Sequence, residues 1–430
     1  MKRILFIMIV LQGVLLSSSI EELVIDGVKT PMIYEGDKTL PIASMQVIFQ
    51  NAGTIEDGKK AGLARFSASI LNEGTKKLGS VGFATELENN AIHLSANAGT
   101  ETFVLEISAL KEKFPQAVKL LKSLLLDPNY SQESFDKIKI LMQASIKRNE
   151  SNFDYVAALN LKKTLYHDTP IGHPSGGTMQ SLEALKLADV QSFIVKHIVR
   201  SQVIIVAGGD IEKEEAKLYA KEVLSALEKG VPSTLTTFEA VKKAKGVEVF
   251  KESEQAFVYF GSPYDLNIQD KDVHKAKVAA FILGAGGFGS RLMEEVRVKR
   301  GLAYSAYARV SFAKSHSDFS GHLQTKLESK EEAIKLVKEV IASFVKDGVT
   351  ADELEQAQKF LLGSEPLRNE TLSQRLSRSF QEYYNGFKLG HSKEELKKIE
   401  ALTLKDLNDY IKKHDEINHL TFSVVTKSDI

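Results

Sequence analysis

Apolar positions recur in two rhythms that alternate along the chain. Met45, Val47 and Phe49 alternate with Ser44, Gln46 and Gln50, the period of two expected of a strand with one buried face. Leu94, Ala96 and Ala98, then Phe103, Leu105, Ile107 and Ala109, predict two more strands around a turn at Gly99 and Thr100. The run FPQAVKLLKSLLLDP reads as a helix, with Pro115 at an early position and Pro128 helping to stop it. Further on, QAFVYFG and LAYSAYARVSF read as strands, and KEEAIKLVKEVIASFVKDG as a helix ending at Gly348. Thr350 and Glu353 have the spacing of a capping box for the next helix. Strands and helices mix without strict alternation, which predicts an α+β fold with helices packed on mostly antiparallel sheets.

A repeat sets the domain organisation. LEALKLADVQSFIVKH (182–197) and IEALTLKDLNDYIKKH (399–414) align without gaps, with eight identities in sixteen positions. Each copy is read as an amphipathic helical segment, and each leads into a β-rich run, SQVIIVAGG in one half and HLTFSVVTK in the other. Two homologous domains of about 200 residues follow, residues 21–228 and 247–430, joined by the polar stretch 229–246.

Composition narrows the function classes. Lys plus Arg and Asp plus Glu both number 56, so no bulk field pulls the protein towards nucleic acid or an anionic membrane. Lys2 and Arg3 precede an apolar run from Ile4 to Leu16, followed by Ser17, Ser18 and Ser19. This is the pattern of a secretory signal peptide over residues 1–20, and the run is short for a membrane span; an uncleaved anchor is the other reading. Cysteine is absent, which excludes disulfides, thiolate metal sites and a cysteine nucleophile. The expectation is an exported protein of the periplasm, without stable membrane insertion.

The segment GLARFSASILNEGT (62–75) carries the question of chemistry. On a helix, Leu63, Phe66 and Ile70 share one face and should pack inward, while Arg65 and Ser69, four apart, share another. An H-x-x-E-H zinc helix holds two imidazoles at those two places, with a glutamate base just before the second. Together with IGHPSGGT, VAGGDI, GGFGSRLMEEVRVKRGLAYS and the duplicated layout, the segment resembles the insulinase or pitrilysin family of inverted-motif zinc peptidases. The likeness is to its short two-domain bacterial members and to the mitochondrial processing peptidase subunits, over residues 23–428.

That resemblance implies two domains enclosing a cavity, and a metal site that does not carry over. Arg65 stands for the first histidine, Ala68 for the glutamate base and Ser69 for the second histidine. A guanidinium offers no lone pair and stays cationic, and a lone serine is a poor zinc ligand. The family's third ligand, a glutamate, would fall near Ala144 to Ile146, where no acidic residue occurs between Lys137 and Asn149. His167 and His173 lie across a Pro- and Gly-rich loop, and loop structure explains them better than a metal does. No metal or cofactor is expected in this chain.

A second set of residues remains. In the family an arginine and a tyrosine seven positions apart approach the active zinc from the second domain, and Arg297 with Tyr304 matches that pair. Such donors favour the charge that grows on a scissile carbonyl. The competing reading makes Tyr304 a core residue, on the strand parity of Ala306, Ala308 and Val310, and Arg297 a solvated cation at a helix end. In GAGGFGS (284–290), Gly284, Gly286 and Gly289 have G-x-G-x-x-G spacing, a weak dinucleotide signal because a helix precedes it. The resemblance instead implies that this loop, with Gly284, Gly286, Gly287 and Gly289, touches substrate polypeptide. The expected function is a noncatalytic subunit of a heteromeric zinc peptidase that binds unfolded peptide and supplies Arg297 and Tyr304 in trans. Zinc is then expected in a homologous H-x-x-E-H partner. The alternative is an inactive peptide-binding or scaffold pseudoenzyme.

Overall fold

The computed structural model describes residues 18–242 and 245–428. Residues 1–17, nearly all of the expected export signal, lie outside the described residues. The strands are β1 (Ser19–Ile25), β2 (Val28–Gly36), β3 (Ile42–Gln50), β4 (His93–Ala98), β5 (Thr102–Leu110), β6 (Val203–Gly209), β7 (Val247–Phe250), β8 (Gln255–Pro263), β9 (Ala303–Phe312), β10 (Ser317–Lys326) and β11 (Thr421–Thr426). The first half adds helices α1 (Leu63–Leu71), α2 (Gly79–Asn89), α3 (Phe114–Leu126), α4 (Gln132–Glu150), α5 (Phe153–Leu165), α6 (Met179–Ala184), α7 (Leu187–His197) and α8 (Lys213–Leu224). The second adds α9 (Val273–Ala280), α10 (Arg291–Met293), α11 (Lys330–Asp347), α12 (Ala351–Gly363), α13 (Leu372–Tyr384), α14 (His391–Glu400) and α15 (Leu404–Lys413).

The α+β expectation holds. One sheet runs β1-β2-β6-β3-β5-β4 and the other β7-β11-β8-β10-β9. Each contains a single parallel pairing, β2 with β6 and β7 with β11, and is otherwise antiparallel. The repeat is visible in the register: Val47 pairs Leu105, which pairs Ala96, and Phe260 pairs Gly321, which pairs Ala308. Alternation on β3 and β5 buries Met45, Val47, Phe49, Phe103, Leu105 and Ile107 against α1, α3 and α8. Helix α3 begins with Pro in its first turn, and Thr350 and Glu353 do form a reciprocal capping box on α12.

One sequence reading needs correction. The repeated segments are not continuous helices: in the first copy the chain leaves the helix at Leu185, ψ 139°, and restarts as α7. The Lys186 backbone N–H donates to the Asp189 carboxylate, whereas in the second copy the Thr403 hydroxyl oxygen accepts from the Asp406 backbone N–H and the Asp406 carboxylate accepts from that hydroxyl before α15. The aspartate shared by both copies marks a helix start inside the segment, which a hydrophobic period alone does not reveal.

Each half lends a helix to the other. Every residue of β6 is buried on both faces, because α13 from the second half covers the outer face of the first sheet. There Leu376 and Tyr384 pack with Ile33, Ile48, Ile204 and Val206. In return α5 lies on β8 and β11, and Leu161, Leu165 and Tyr166 pack with Tyr259 and with Phe238 and Ala240 of the linker. Polar clamps fasten the exchange. Arg375 on α13 donates to Glu35 at 2.5 Å and to Asp37 at 2.6 Å, and the Tyr384 hydroxyl donates to Glu101 at 2.8 Å. Residues 228–241 form no helix or strand, yet the Phe238 N–H donates to the Ser315 carbonyl and the Val241 N–H to that of Leu165.

Candidate functional site

Helix α1 forms as its apolar spacing requires. Leu63, Phe66 and Ile70 are buried, each contributing about 1.5–3 kcal/mol, and Phe66 lies with its ring centroid 4.8 Å from that of Phe135 on α4. Gly62 at its N-terminus has no side chain to cap it. Asp57 does this from the preceding turn, accepting from the Gly62 N–H at 2.8 Å and the Ala64 N–H at 2.7 Å. Burial pushes the Asp57 carboxyl up to about 7 despite those two donors and the nearby Arg65 charge.

The three positions expected to be degenerate metal-site residues sit together on this helix. Arg65 is exposed, Ser69 half-buried and Ala68 buried. Helix α4, with Ala144 to Ile146, packs against α1 and presents no carboxylate there. Burial depresses the pKa of Lys162 on α5, and the charge of Arg65 lowers it further while Asp318 opposes the shift. The Arg65 and Lys162 charges thus act on each other, with the Asp318 carboxylate offsetting their repulsion. Among the described residues no three His, Cys, Asp or Glu gather into a metal-holding group. His167 is exposed and pairs with Asp168 at 2.9 Å in its loop.

The second set sits on the other sheet, around the start of β9. Tyr304 is 80% exposed although Ala306 and Ala308 are buried. The pairing with β10 explains this: Leu323 faces Ala306 but Thr325 faces Ala303, so β9 carries one extra residue. That β-bulge reverses the parity and turns Tyr304 outward. Two π-helical turns flank the site, Phe281–Ala285 and Glu294–Val298, and the second carries Arg297. The Arg297 guanidinium carbon lies 4.5 Å from the Tyr304 ring centroid and 4.6 Å from that of Phe288, which is itself 71% exposed. Among the described residues no carboxylate lies within ion-pair distance of Arg297. The result is a cation in contact with two aromatic rings, with N–H groups left to donate.

The glycines of the loop divide in two. Gly284 is buried and its backbone lies so close to β9 that a Cβ would stand 2.5 Å from the Ala308 nitrogen; a Cβ on Gly286 would meet the Phe281 carbonyl at 2.8 Å. Those two have packing work. Gly287 and Gly289 adopt φ of 65° and 94° with open space around them, and they flank Phe288. The structure therefore gathers Arg297, Tyr304, Gly287 and Gly289, and holds Arg65, Ala68 and Ser69 on the other half, beside β4. Sequence reasoning missed Phe288, Lys162 and Asp57. The pattern F-x-x-x-x-x-x-x-x-R could have suggested Phe288 only once its loop was known to fold back on the helix.

The chain's likenesses agree with this geometry. Residues 32–179 match the model of the insulinase family, peptidase family M16, and residues 184–361 match that of the peptidase M16 inactive domain. The chain is 40% identical to the non-peptidase homolog YmxG of Helicobacter pylori, over 98% of both chains. A crystal structure of a peptidase M16 inactive domain from Pseudomonas fluorescens superposes with a TM-score of 0.87 at 26% identity, covering 95% of this chain and 98% of that one. A protease from Helicobacter pylori shares the fold, with a TM-score of 0.82 at 16% identity over 95% and 99% of the two chains. With these relatives, the chain belongs to the insulinase family, peptidase family M16, as an inactive member.

Proposed function

We propose that this protein is the noncatalytic subunit of a heteromeric zinc peptidase. A homologous H-x-x-E-H subunit supplies metal and base, and this chain binds unfolded peptide and presents Arg297 and Tyr304 to the scissile carbonyl. The observation that carries the reading is the outward-turned pair. A bulge exposes Tyr304, and Arg297 is stacked against it with no carboxylate among the described residues to neutralise it. A preplaced phenol and guanidinium stabilise an oxyanion as charge develops, each typically contributing about 3–4 kcal/mol to the transition state. Gly287 and Gly289, with little bulk beside Phe288, leave backbone accessible to an extended substrate. We place the assembly in the periplasm, on the Lys2-Arg3 and apolar Ile4–Leu16 pattern.

The test is reconstitution. The purified chain alone should show no chelator-sensitive hydrolysis, and mixing it with a zinc-bearing relative from the same organism should produce it. Arg297→Ala and Tyr304→Phe should each lower kcat of the mixture by orders of magnitude without weakening assembly. A scaffold would be indifferent to both substitutions, and that result would refute the proposal.

A further inference from the structure

Among the described residues strand β4 is an edge: β5 lies on one side of it and no strand on the other. Such an edge offers unpaired N–H and C=O groups to any extended chain. At Ala96 that offer is already taken up. The Asn72 side chain accepts from the Ala96 N–H through Oδ1 at 2.8 Å and donates from Nδ2 to the Ala96 carbonyl at 3.0 Å. A carboxamide carries the same donor and acceptor as a peptide group, and this pair of bonds to one residue is what an added antiparallel strand would make. Asn72 is itself exposed at the end of α1, three positions beyond Ser69, so the edge and the vacated metal position share one helix. Its φ of −70° is ordinary for a helix end, so the backbone there has no need of asparagine.

The second half supplies an internal comparison. Ala308 occupies the same rung of its sheet as Ala96, and Gly284 precedes it by the 24 residues that separate Asn72 from Ala96. In both halves the helix end meets the edge strand at this rung. Gly284 does so with bare backbone against the Ala308 nitrogen, and only Asn72 reaches across with a hydrogen-bonding side chain.

We infer that the Asn72 carboxamide occupies the free edge of β4 in place of a docking peptide, so that an extended polypeptide adds to this sheet only by displacing it. Being tethered, the side chain competes at high effective concentration, and a weakly pairing chain is turned away. The inference deepens the proposed function and rests on its peptide-binding part.

The test uses the full chain and a short fluorescein-labelled unstructured peptide, with anisotropy for affinity and hydrogen exchange for the Ala96 amide. Asn72→Ala should bind the peptide about tenfold more tightly, the size expected for two neutral hydrogen bonds no longer broken on docking. Asn72→Asp keeps the size but cannot donate to the Ala96 carbonyl, and should fall between. The Ala96 amide should exchange slowly in the wild type, quickly in free Asn72→Ala, and slowly again when peptide is added. Wild-type binding with Asn72→Ala equal or weaker, or with no peptide protection at Ala96, overturns the inference and leaves the proposed function standing. If neither protein binds the peptide, both the inference and the peptide-binding part of that function fall.

Discussion

The sharpest consequence of the Arg297 stack is an ordering of variants in the reconstituted peptidase. Tyr304→Phe keeps a ring 4.5 Å from the guanidinium carbon and removes only the phenol, so Arg297 stays where it is and the deficit is that of one lost donor. One such donor corresponds to about 10²–10³-fold, or about 3–4 kcal/mol, in kcat. Phe288→Ala removes the other ring, at 4.6 Å, and leaves both donors. An exposed cation–π contact contributes about 0.5–1 kcal/mol, so kcat/KM should fall only about two- to fivefold. Tyr304→Ala loses phenol and ring together and should be worse than Tyr304→Phe by a similar small factor. Arg297→Ala combined with Tyr304→Phe should cost less than the product of the single effects, since on the proposed function the two donors serve one oxygen. The assay is initial-rate cleavage of a quenched peptide at saturating subunit, with assembly checked separately. If Phe288→Ala is as damaging as Arg297→Ala, or if Tyr304→Phe cleaves normally, the geometry does not work as described.

Other outcomes follow from the rest of the structure. Arg375→Ala leaves the buried Glu35 carboxylate without a counter-charge, held only by the Ser18 hydroxyl among the described residues, and should cost about 3 kcal/mol in urea unfolding, the lower end for breaking a buried pair since Arg375 itself is one-fifth exposed; Glu35→Gln should relieve part of it. Because Asp57 is raised to about 7, its contribution is complete below its unfolded pKa of about 4 and is lost as pH rises through 7. The urea midpoint of the wild type should therefore fall over that window relative to that of Asp57→Asn. Placing His at 65 and 69 and Glu at 68 should bind zinc weakly until a glutamate is also placed among positions 144–146 of α4, measured as bound metal per chain after dialysis.

How far the sequence carried the reader varied by element, for physical reasons. β3, β5, α3 and the capping box at Thr350 are local: their signals lie in a few consecutive residues, and the folded chain obeys them. The expectation of a vacated zinc helix was drawn from residue type alone, in which ligand chemistry resides, and the folded chain does place Arg65, Ala68 and Ser69 on one helix. Tyr304 was ambiguous because its outward turn depends on a bulge that exists only against β10. The break at Leu185 was hidden because a cap competes with periodicity inside one segment. Least legible was the placement of α13: Leu376 and Tyr384 mark a buried face, but nothing in LSQRLSRSFQEYY says that it covers the sheet of the opposite half.

That reciprocal covering bears on how such a chain could arise. A single half expressed alone would leave β6 and its neighbours uncovered on one face and would carry a helix with no sheet to rest on. Two identical halves would mend both defects in each other by trading arms about a twofold axis. The present polypeptide thus has the arrangement of a domain-swapped dimer joined through one linker, and two unlike copies in one chain are free to diverge, with Arg65 and Ser69 on one and Arg297 and Tyr304 on the other.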